Sequence, residues 1–250
     1  MSGHSKWSTI KRKKGALDAK RGKLFSKIIK EITVAARLGG GDPDGNARLR
    51  QAMNIARAAN LPSDTAERAI KKGTGELEGV EYEELTYEGV GLGGSLIMVE
   101  TMTDNRNRTA PELRYIFEKR GGQMGAVGAA GWAFEQLGVI RLPKANASEE
   151  KLFEVAVGAG AEDLTGDDEQ WTVTTPRDAL EAVTSALEVA AIAVTESKLE
   201  QIAKTPKVFG GEDGIRMLAL LEALDDQDDV QNVFSDFEPS DELLASLGEE

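Results

Sequence analysis

The 250-residue chain contains no cysteine and a single histidine, His4. The lack of cysteine excludes disulfides, thiolate metal sites, iron–sulfur clusters and cysteine nucleophiles, and it is typical of a protein in a reducing compartment. One histidine provides no His–His metal pair and argues against a histidine-based catalytic triad. We therefore expect no bound metal, no cofactor and no redox chemistry.

The chain also lacks long apolar runs. No stretch approaches the ~18 uninterrupted apolar residues that a membrane-spanning helix needs. The first residues, MSGHSKWSTIKRKK, carry no apolar core of a secretory signal after their basic residues. We expect a soluble, cytoplasmic protein that has no membrane partner.

Charge, by contrast, is abundant and unevenly distributed. The net charge is −13, yet residues 1–78 hold 17 Lys and Arg against 8 Asp and Glu, whereas residues 79–250 hold 13 against 35. Residues 1–30 alone hold ten Lys or Arg and one acid, Asp18. A sign reversal of this size indicates a basic module joined to acidic ones. Dense Lys and Arg favour nucleic-acid binding because they displace the counterions condensed on phosphates.

Two parts of the basic region provide the predicted nucleic-acid-binding residues. The first is the segment before residue 15, in which Trp7 could stack on an exposed base. The second is the charged stripe of an amphipathic helix that the 3.6-residue period predicts over residues 18–38. Together they are His4, Lys6, Trp7, Lys11, Arg12, Lys13, Lys14, Lys20, Arg21, Lys23, Lys27 and Lys30. The alternative is that these charges form a solvated face and that Trp7 is a packing anchor.

A second candidate lies in the segment TDNRNRT (residues 103–109), between a predicted strand and a predicted helix. Helix N-terminal amides beside two arginines form a place for a phosphate or a carboxylate. The candidate anion site consists of Asn105, Arg106, Asn107 and Arg108. The alternative, which the sequence leaves open, is that Asp104 and Asn105 shape a turn and that the arginines pair with nearby acids. The four aspartates within residues 225–229 are interpreted as a solvated acidic turn.

The hydrophobic pattern predicts an α+β chain of three domains. Residues 1–78 form an all-helical, basic, nucleic-acid-binding domain, and residues 79–134 with 207–250 form a discontinuous α/β middle domain. Residues 135–206 form an inserted ferredoxin-like α/β domain, which begins with strands over 132–136 and 139–142 and ends with a strand over 192–196. In the middle domain, Thr109 and Glu112 have the spacing of a helix capping box. Residues from 239 onward are expected to be loosely held.

No feature of the sequence indicates catalysis. The acids lack a neighbouring base, metal ligand or nucleophile elbow. The G-x-G-x-x-G pattern at residues 89–94 lies between two predicted strands, whereas a dinucleotide site needs a helix after it. We expect no catalytic residue and no small-molecule substrate. A protein-interaction adaptor remains an alternative, and because no heptad or exposed apolar stripe requires a dimer, we expect a monomer.

Several segments resemble the YebC/PmpR family, in order along nearly the whole chain. They are GHSKW (3–7), DAKRGKLFSKIIKEITVAAR (18–37), GGGDP (39–43), ERAIKKGTGE (67–76), TDNRNRT (103–109) and DDVQNV (228–233). The resemblance implies a helical N-terminal domain, two α/β domains of which one is discontinuous, and no catalytic activity. It implies a DNA-binding transcriptional regulator or, alternatively, a translation factor that binds ribosomal or transfer RNA on the ribosome and relieves stalling. Residues 123–132 (QMGAVGAAGW) are richer in glycine and alanine than the resemblance implies.

Overall fold

The structure is a computed structural model that describes residues 18–248, with side chains from residue 22 to residue 246. It confirms the predicted fold class, because a helical segment comes first and two α/β parts follow. None of the helices described there is long and apolar enough to cross a membrane. Residues 135–202 form one compact unit and the other described residues form a second. The domain boundaries at residues 78 and 206 stay a prediction.

The helical segment consists of α1 (Asp18–Gly39), α2 (Ala47–Ala58) and α3 (Ser63–Gly73). The apolar face predicted for α1 packs inward. Ile32 of α1 and Leu49 of α2 belong to the same core, and both side chains are fully buried. Asn46 joins the first two helices. Its side-chain oxygen accepts a hydrogen bond from the Leu49 amide, and its side-chain nitrogen donates to the Ala35 carbonyl. This buried amide therefore fixes the turn between α1 and α2.

The α/β part of this larger unit is built from two separate stretches of chain. The first contains β1 (Glu83–Val90), β2 (Leu96–Thr103), α4 (Arg106–Lys119) and β3 (Gln123–Met124). After the inserted unit follow β8 (Lys207–Phe209), α7 (Gly211–Asp225), β9 (Val230–Ser235), β10 (Phe237–Pro239) and α8 (Asp241–Gly248). The main sheet has the order β3-β1-β2-β9, so the late strand β9 pairs with the early strand β2. A shared core of Ile97, Leu113, Phe117, Met217 and Leu221 lies between α4, α7 and the sheet.

Two expectations for this part are wrong. Helix α4 begins at Arg106 because the Asn105 side chain accepts hydrogen bonds from the Asn107 and Arg108 amides, so Thr109 is an interior residue and not a cap. Residues 241–246 are not loosely held. Leu243 of α8 is only 4% exposed and belongs to the shared core, because the parallel pairing of β10 with β8 brings the end of the chain back onto it.

The inserted unit has the β-α-β-β-α-β order of a ferredoxin-like fold. Its elements are β4 (Phe134–Pro143), α5 (Glu149–Gly158), β5 (Asp163–Gly166), β6 (Gln170–Pro176), α6 (Leu180–Val189) and β7 (Glu196–Ala203), with the sheet order β5-β6-β4-β7. The two strands predicted before and after residue 137 are one strand, because Gly138 pairs with Thr175 and continues the ladder. The strand predicted over 192–196 begins only at Glu196. Ile192 instead follows the end of α6, where its amide binds the Leu187 carbonyl and its side chain is buried.

The glycine- and alanine-rich loop before β4 is held by one carboxylate. Glu88, 8% exposed, accepts hydrogen bonds from the amides of Gly128, Ala130 and Gly131. Burial opposes ionisation, but these three bonds outweigh it and lower the pKa of Glu88. The loop therefore keeps a defined course despite its small side chains, and Trp132, predicted in a strand, lies in a turn with its ring exposed.

A charged network lies on the sheet of the inserted unit. Arg141 of β4 is 4% exposed, and its guanidinium donates to Glu196 and, with two nitrogens, to Glu200 at 2.8 Å. Lys198 lies 3.2 Å from the Glu200 carboxylate. Burial would raise the pKa of Glu200, but Arg141 and Lys198 together lower it to about 2. The Glu200 carboxylate is therefore ionised at neutral pH and pairs with Arg141 and Lys198.

We predict that this network makes the inserted unit acid-sensitive. Because the folded-state pKa of Glu200 is lowered, its contribution to stability is present above its unfolded pKa of about 4.5 and is lost as the pH falls towards 2. Glu200→Gln should remove at most about 3 kcal/mol of unfolding free energy at pH 7 and flatten its decline below pH 4.5. The measurement is hydrogen exchange of β4 and β7 amides between pH 7 and pH 3. Substituting the exposed Glu188 by Gln is the control, and an equal loss in both variants would contradict the assignment.

Candidate nucleic-acid interface

The predicted interface residues fall into two groups in the structure. His4, Lys6, Trp7, Lys11, Arg12, Lys13 and Lys14 lie outside the described residues. Lys20 and Arg21 belong to the first turns of α1, but their side chains also lie outside the described part. Lys23, Lys27 and Lys30 are described, and the structure brings all three to the same place.

That place is the turn between α7 and β9, residues 225–229, here called the acidic turn. The Lys23 ammonium donates to the Asp226 carbonyl at 2.7 Å and lies 3.5 Å from the Asp226 carboxylate. The Lys27 ammonium donates to both the carbonyl and the carboxylate of Asp225, at 3.1 and 3.0 Å. Because these carbonyls belong to the C-terminal end of α7, the lysines also meet the negative end of its dipole.

Lys30 is held most firmly. Its ammonium donates to the Met102 carbonyl at 3.1 Å, to the Asp228 carbonyl at 2.9 Å and to the Asp229 carboxylate at 2.8 Å. The side chains of Lys30 and Asp229 are 12% and 3% exposed. This lysine therefore serves as a contact between α1 and the α/β part of the same unit, and it presents little charge to solvent.

Asp229 is the centre of this cluster. Besides Lys30, its carboxylate accepts hydrogen bonds from Arg108 at 2.8 Å, from the Thr109 hydroxyl at 2.7 Å and from the Thr103 hydroxyl at 3.2 Å. Burial alone would raise the pKa of Asp229, but the hydrogen bonds from Arg108, Lys30 and Thr109 hold it well below the usual range. The carboxylate is therefore ionised and fully coordinated by donors of α1, β2 and α4.

The candidate anion site is largely engaged with the protein's own groups. The Asn105 oxygen accepts hydrogen bonds from the Asn107 and Arg108 amides, which are the helix N-terminal donors that an anion would use. Arg108 lies between Asp104 and Asp229, 2.8 Å from each, and these carboxylates raise its pKa. Arg106 and the Asn107 side chain are exposed. The described contacts thus match the alternative in which Asn105 shapes the turn and one arginine pairs with acids.

One residue of each candidate site, Lys23 and Arg108, lines the same open cleft. Its volume is about 690 Å³, and Lys23, Arg108, Asp226, Asp228 and Asp229 are among the residues that line it. Sequence reasoning missed the role of the acidic turn, which it interpreted as solvated. The sequence did contain an indication of this contact. Four aspartates lie within five residues, and their charge is opposite to that of a helix whose lysines are spaced by four and three residues.

Two family models match the chain. The model described as "TACO1/YebC protein N-terminal domain" matches residues 5–76, and the one described as "TACO1/YebC second and third domain" matches residues 82–237. The chain belongs to the TACO1/YebC family. The resemblance that the sequence motifs indicated is thereby confirmed.

Relatives and a solved structure extend the match to nearly full length. The chain is 53% identical over 247 residues to a "Probable transcriptional regulatory protein" of Geobacter sp. (strain M21), covering 99% of this chain and 100% of the relative. It is 51% identical to a protein of the same description from Desulfotalea psychrophila, covering 100% of both. The crystal structure of a conserved hypothetical protein, Aq1575, from Aquifex aeolicus superimposes with a TM-score of 0.88 at 44% identity, covering 96% of this chain and 99% of that one.

We predict that Asp229→Asn strongly destabilises this unit of the TACO1/YebC protein. The substitution leaves Lys30 and Arg108 facing a neutral amide, and removing one member of a buried ion cluster costs about 3–5 kcal/mol, somewhat less here because Arg108 is 44% exposed. Asp226→Asn, at an exposed position, should cost less than about 1 kcal/mol. Urea unfolding of both variants measures the difference. Equal effects would show that Asp229 does not hold the cluster together.

Proposed function

We propose that this TACO1/YebC protein is a non-enzymatic, nucleic-acid-binding regulator of gene expression, and that it acts on DNA as a transcriptional regulator. The observation that carries the proposal is the positive charge of residues 1–21, which contain seven Lys or Arg and one acid in a chain of net charge −13. Such density supports phosphate binding by counterion release. The relatives' names support regulation of transcription.

The described contacts refine which cations we assign to nucleic acid. Lys30 is engaged with the buried Asp229, and Lys27 is half-buried against Asp225. On charge density in the sequence, we assign phosphate binding first to the cations before Lys23: Lys6, Lys11, Arg12, Lys13, Lys14, Lys20 and Arg21. We propose these residues, together with His4 and Trp7, as the primary nucleic-acid-binding surface. Lys23 is the last residue of this surface along α1.

The side chains available favour recognition of the backbone over recognition of bases. Sequence-specific factors present side chains such as Arg, Asn or Gln to base edges from a helix in the major groove. The charged stripe of α1 offers lysines, and it contains no Asn or Gln. We therefore expect discrimination between a promoter fragment and random DNA well below the ~10³-fold that is typical of dedicated operators.

The first test neutralises the basic segment. Replacing Lys11, Arg12, Lys13 and Lys14 with Gln should weaken DNA binding and lower the slope of log affinity against log salt by about 0.9 for each phosphate that the protein no longer neutralises. The measurement is fluorescence anisotropy with a labelled duplex across a salt series. A matched control neutralises four exposed cations elsewhere, Arg114, Lys119, Arg120 and Arg177. The proposal fails if the control variant loses as much affinity and slope as the test variant.

The second test identifies the nucleic acid in the cell. Cross-linking the protein in cells and sequencing the bound nucleic acid should yield chromosomal DNA upstream of genes. Recovery of ribosomal or transfer RNA instead would contradict transcriptional regulation and favour the ribosomal alternative that the family resemblance left open.

A further inference from the structure

The acidic turn binds cations of the same helix to which we assign nucleic-acid binding. Both Lys23 and Lys27 contact one backbone carbonyl and one carboxylate of the turn. Each ammonium group therefore lies near two oxygens, one of a carbonyl and one of a carboxylate, which together carry negative charge. A phosphodiester offers a similar pair in its two unesterified oxygens, and Lys binds it as a point charge.

We propose that the acidic turn is an internal competitor of nucleic acid. In the bound state, backbone phosphates take the place of the Asp225 and Asp226 carboxylates at Lys27 and Lys23, so the nucleic-acid surface continues from residues 1–21 along α1. This inference rests on the proposed function and adds to it a second, normally covered, part of the interface.

The spacing of the lysines suits a nucleic-acid strand. At a rise of about 1.5 Å per residue, Lys23 and Lys27 lie roughly 6 Å apart along the axis of α1. Each strand of duplex DNA carries one phosphate per roughly 3.4 Å of helix axis. Phosphates two steps apart on one strand are therefore roughly 7 Å apart along the DNA axis, close to the separation of the two lysines.

The strength of the contact decreases towards the end of α1 at which that strand would arrive. The Lys30–Asp229 pair is 12% and 3% exposed, Lys27–Asp225 is 18% exposed on both sides, and Lys23–Asp226 is 43% and 51% exposed. Exposed ion pairs are screened by salt and contribute little, whereas buried ones are screened much less. The Lys23–Asp226 pair can thus exchange partners most readily and the Lys27–Asp225 pair after it, while Lys30 and Asp229 keep α1 in place.

The cleft beside the outer pair gives a phosphate room to enter. It is open to solvent, and Lys23 and Arg108 line it together with Asp226 and Asp228. Asp226 and Asp228 are exposed, so their carboxylates repel an approaching phosphate as long as they remain charged. The proposed competition itself is the occupation of Lys23 and Lys27, and the charge of the cleft is a general effect from which the variants below separate it.

The experiment removes the competing carboxylates and keeps the fold. In the full-length protein, Asp225→Asn with Asp226→Asn leaves the backbone carbonyls, Lys30 and Asp229 in place. We expect affinity for a labelled 20-base-pair duplex of random sequence to rise about threefold to tenfold at low salt. The control, Glu212→Gln with Asp213→Asn, removes the same charge from the exposed first turn of α7 and should change affinity less than about twofold.

A second pair of variants tests whether the gain comes through the lysines. In a background of Lys23→Gln with Lys27→Gln, the same two Asp→Asn substitutions should change affinity by no more than the control does, because the two lysines that the carboxylates cover are gone. A gain that persists in this background would be a general charge effect and would overturn the proposal. Urea unfolding of each variant confirms that the fold is kept.

Different binding results reject the internal competitor and the proposed function. In one outcome the wild type binds DNA, neutralising residues 11–14 weakens that binding, and the Asp225/Asp226 variant shows no gain in affinity. The internal competitor is then rejected and the proposed function stands. If the wild type does not bind detectably and the Asp225/Asp226 variant does, the competitor is supported in its strongest form. If neither protein binds DNA or a matched RNA duplex, both proposals are rejected.

Discussion

The buried carboxylate of Asp229 is the group on which the larger unit of this protein depends. It accepts from Lys30 of α1, from Arg108 and Thr109 of α4, and from Thr103 at the end of β2. Lys30 is 199 residues away in the sequence. A carboxylate that is 3% exposed is costly unless it is paired, so the arrangement holds only when all of these elements are in place together. The helical segment, the hairpin and the returning chain thus share one electrostatic centre.

This centre gives the lysines of α1 two different roles. A helix with cations every three or four residues suits phosphate binding along its length, but its inner end is used to hold the fold. Only towards residue 23 does the charge become accessible. Along the described part of α1 the role of the positive charge is therefore graded: Lys30 holds the fold, and Lys23 is the most exposed of the three lysines.

Buried ion pairs also connect the strands of the inserted unit. Arg141, Lys198, Glu196 and Glu200 form a network in which each charge has an opposite neighbour. Such networks contribute less to stability than apolar packing of the same volume, but a missing member is strongly penalised. In both units the apolar core supplies the driving force, with Leu142 and Leu187 in one and Leu113 and Phe117 in the other, while the charges determine which strands and helices are neighbours.

The sequence by itself determined the fold class, the family and the amphipathic helix α1, because hydrophobic periodicity and turn residues are local signals. It also indicated that the late strand β9 returns to the early sheet, since α7 and β9 have too few partners of their own. It missed the start of α4, because Asn105 and Thr109 are both acceptable caps and only the contact of Thr109 with Asp229 excludes the latter. The sequence showed that the lysines of α1 and the aspartates of residues 225–229 are complementary in charge, but only the tertiary structure decided that they meet, because ion pairs between residues about 200 positions apart leave no periodic trace in the chain.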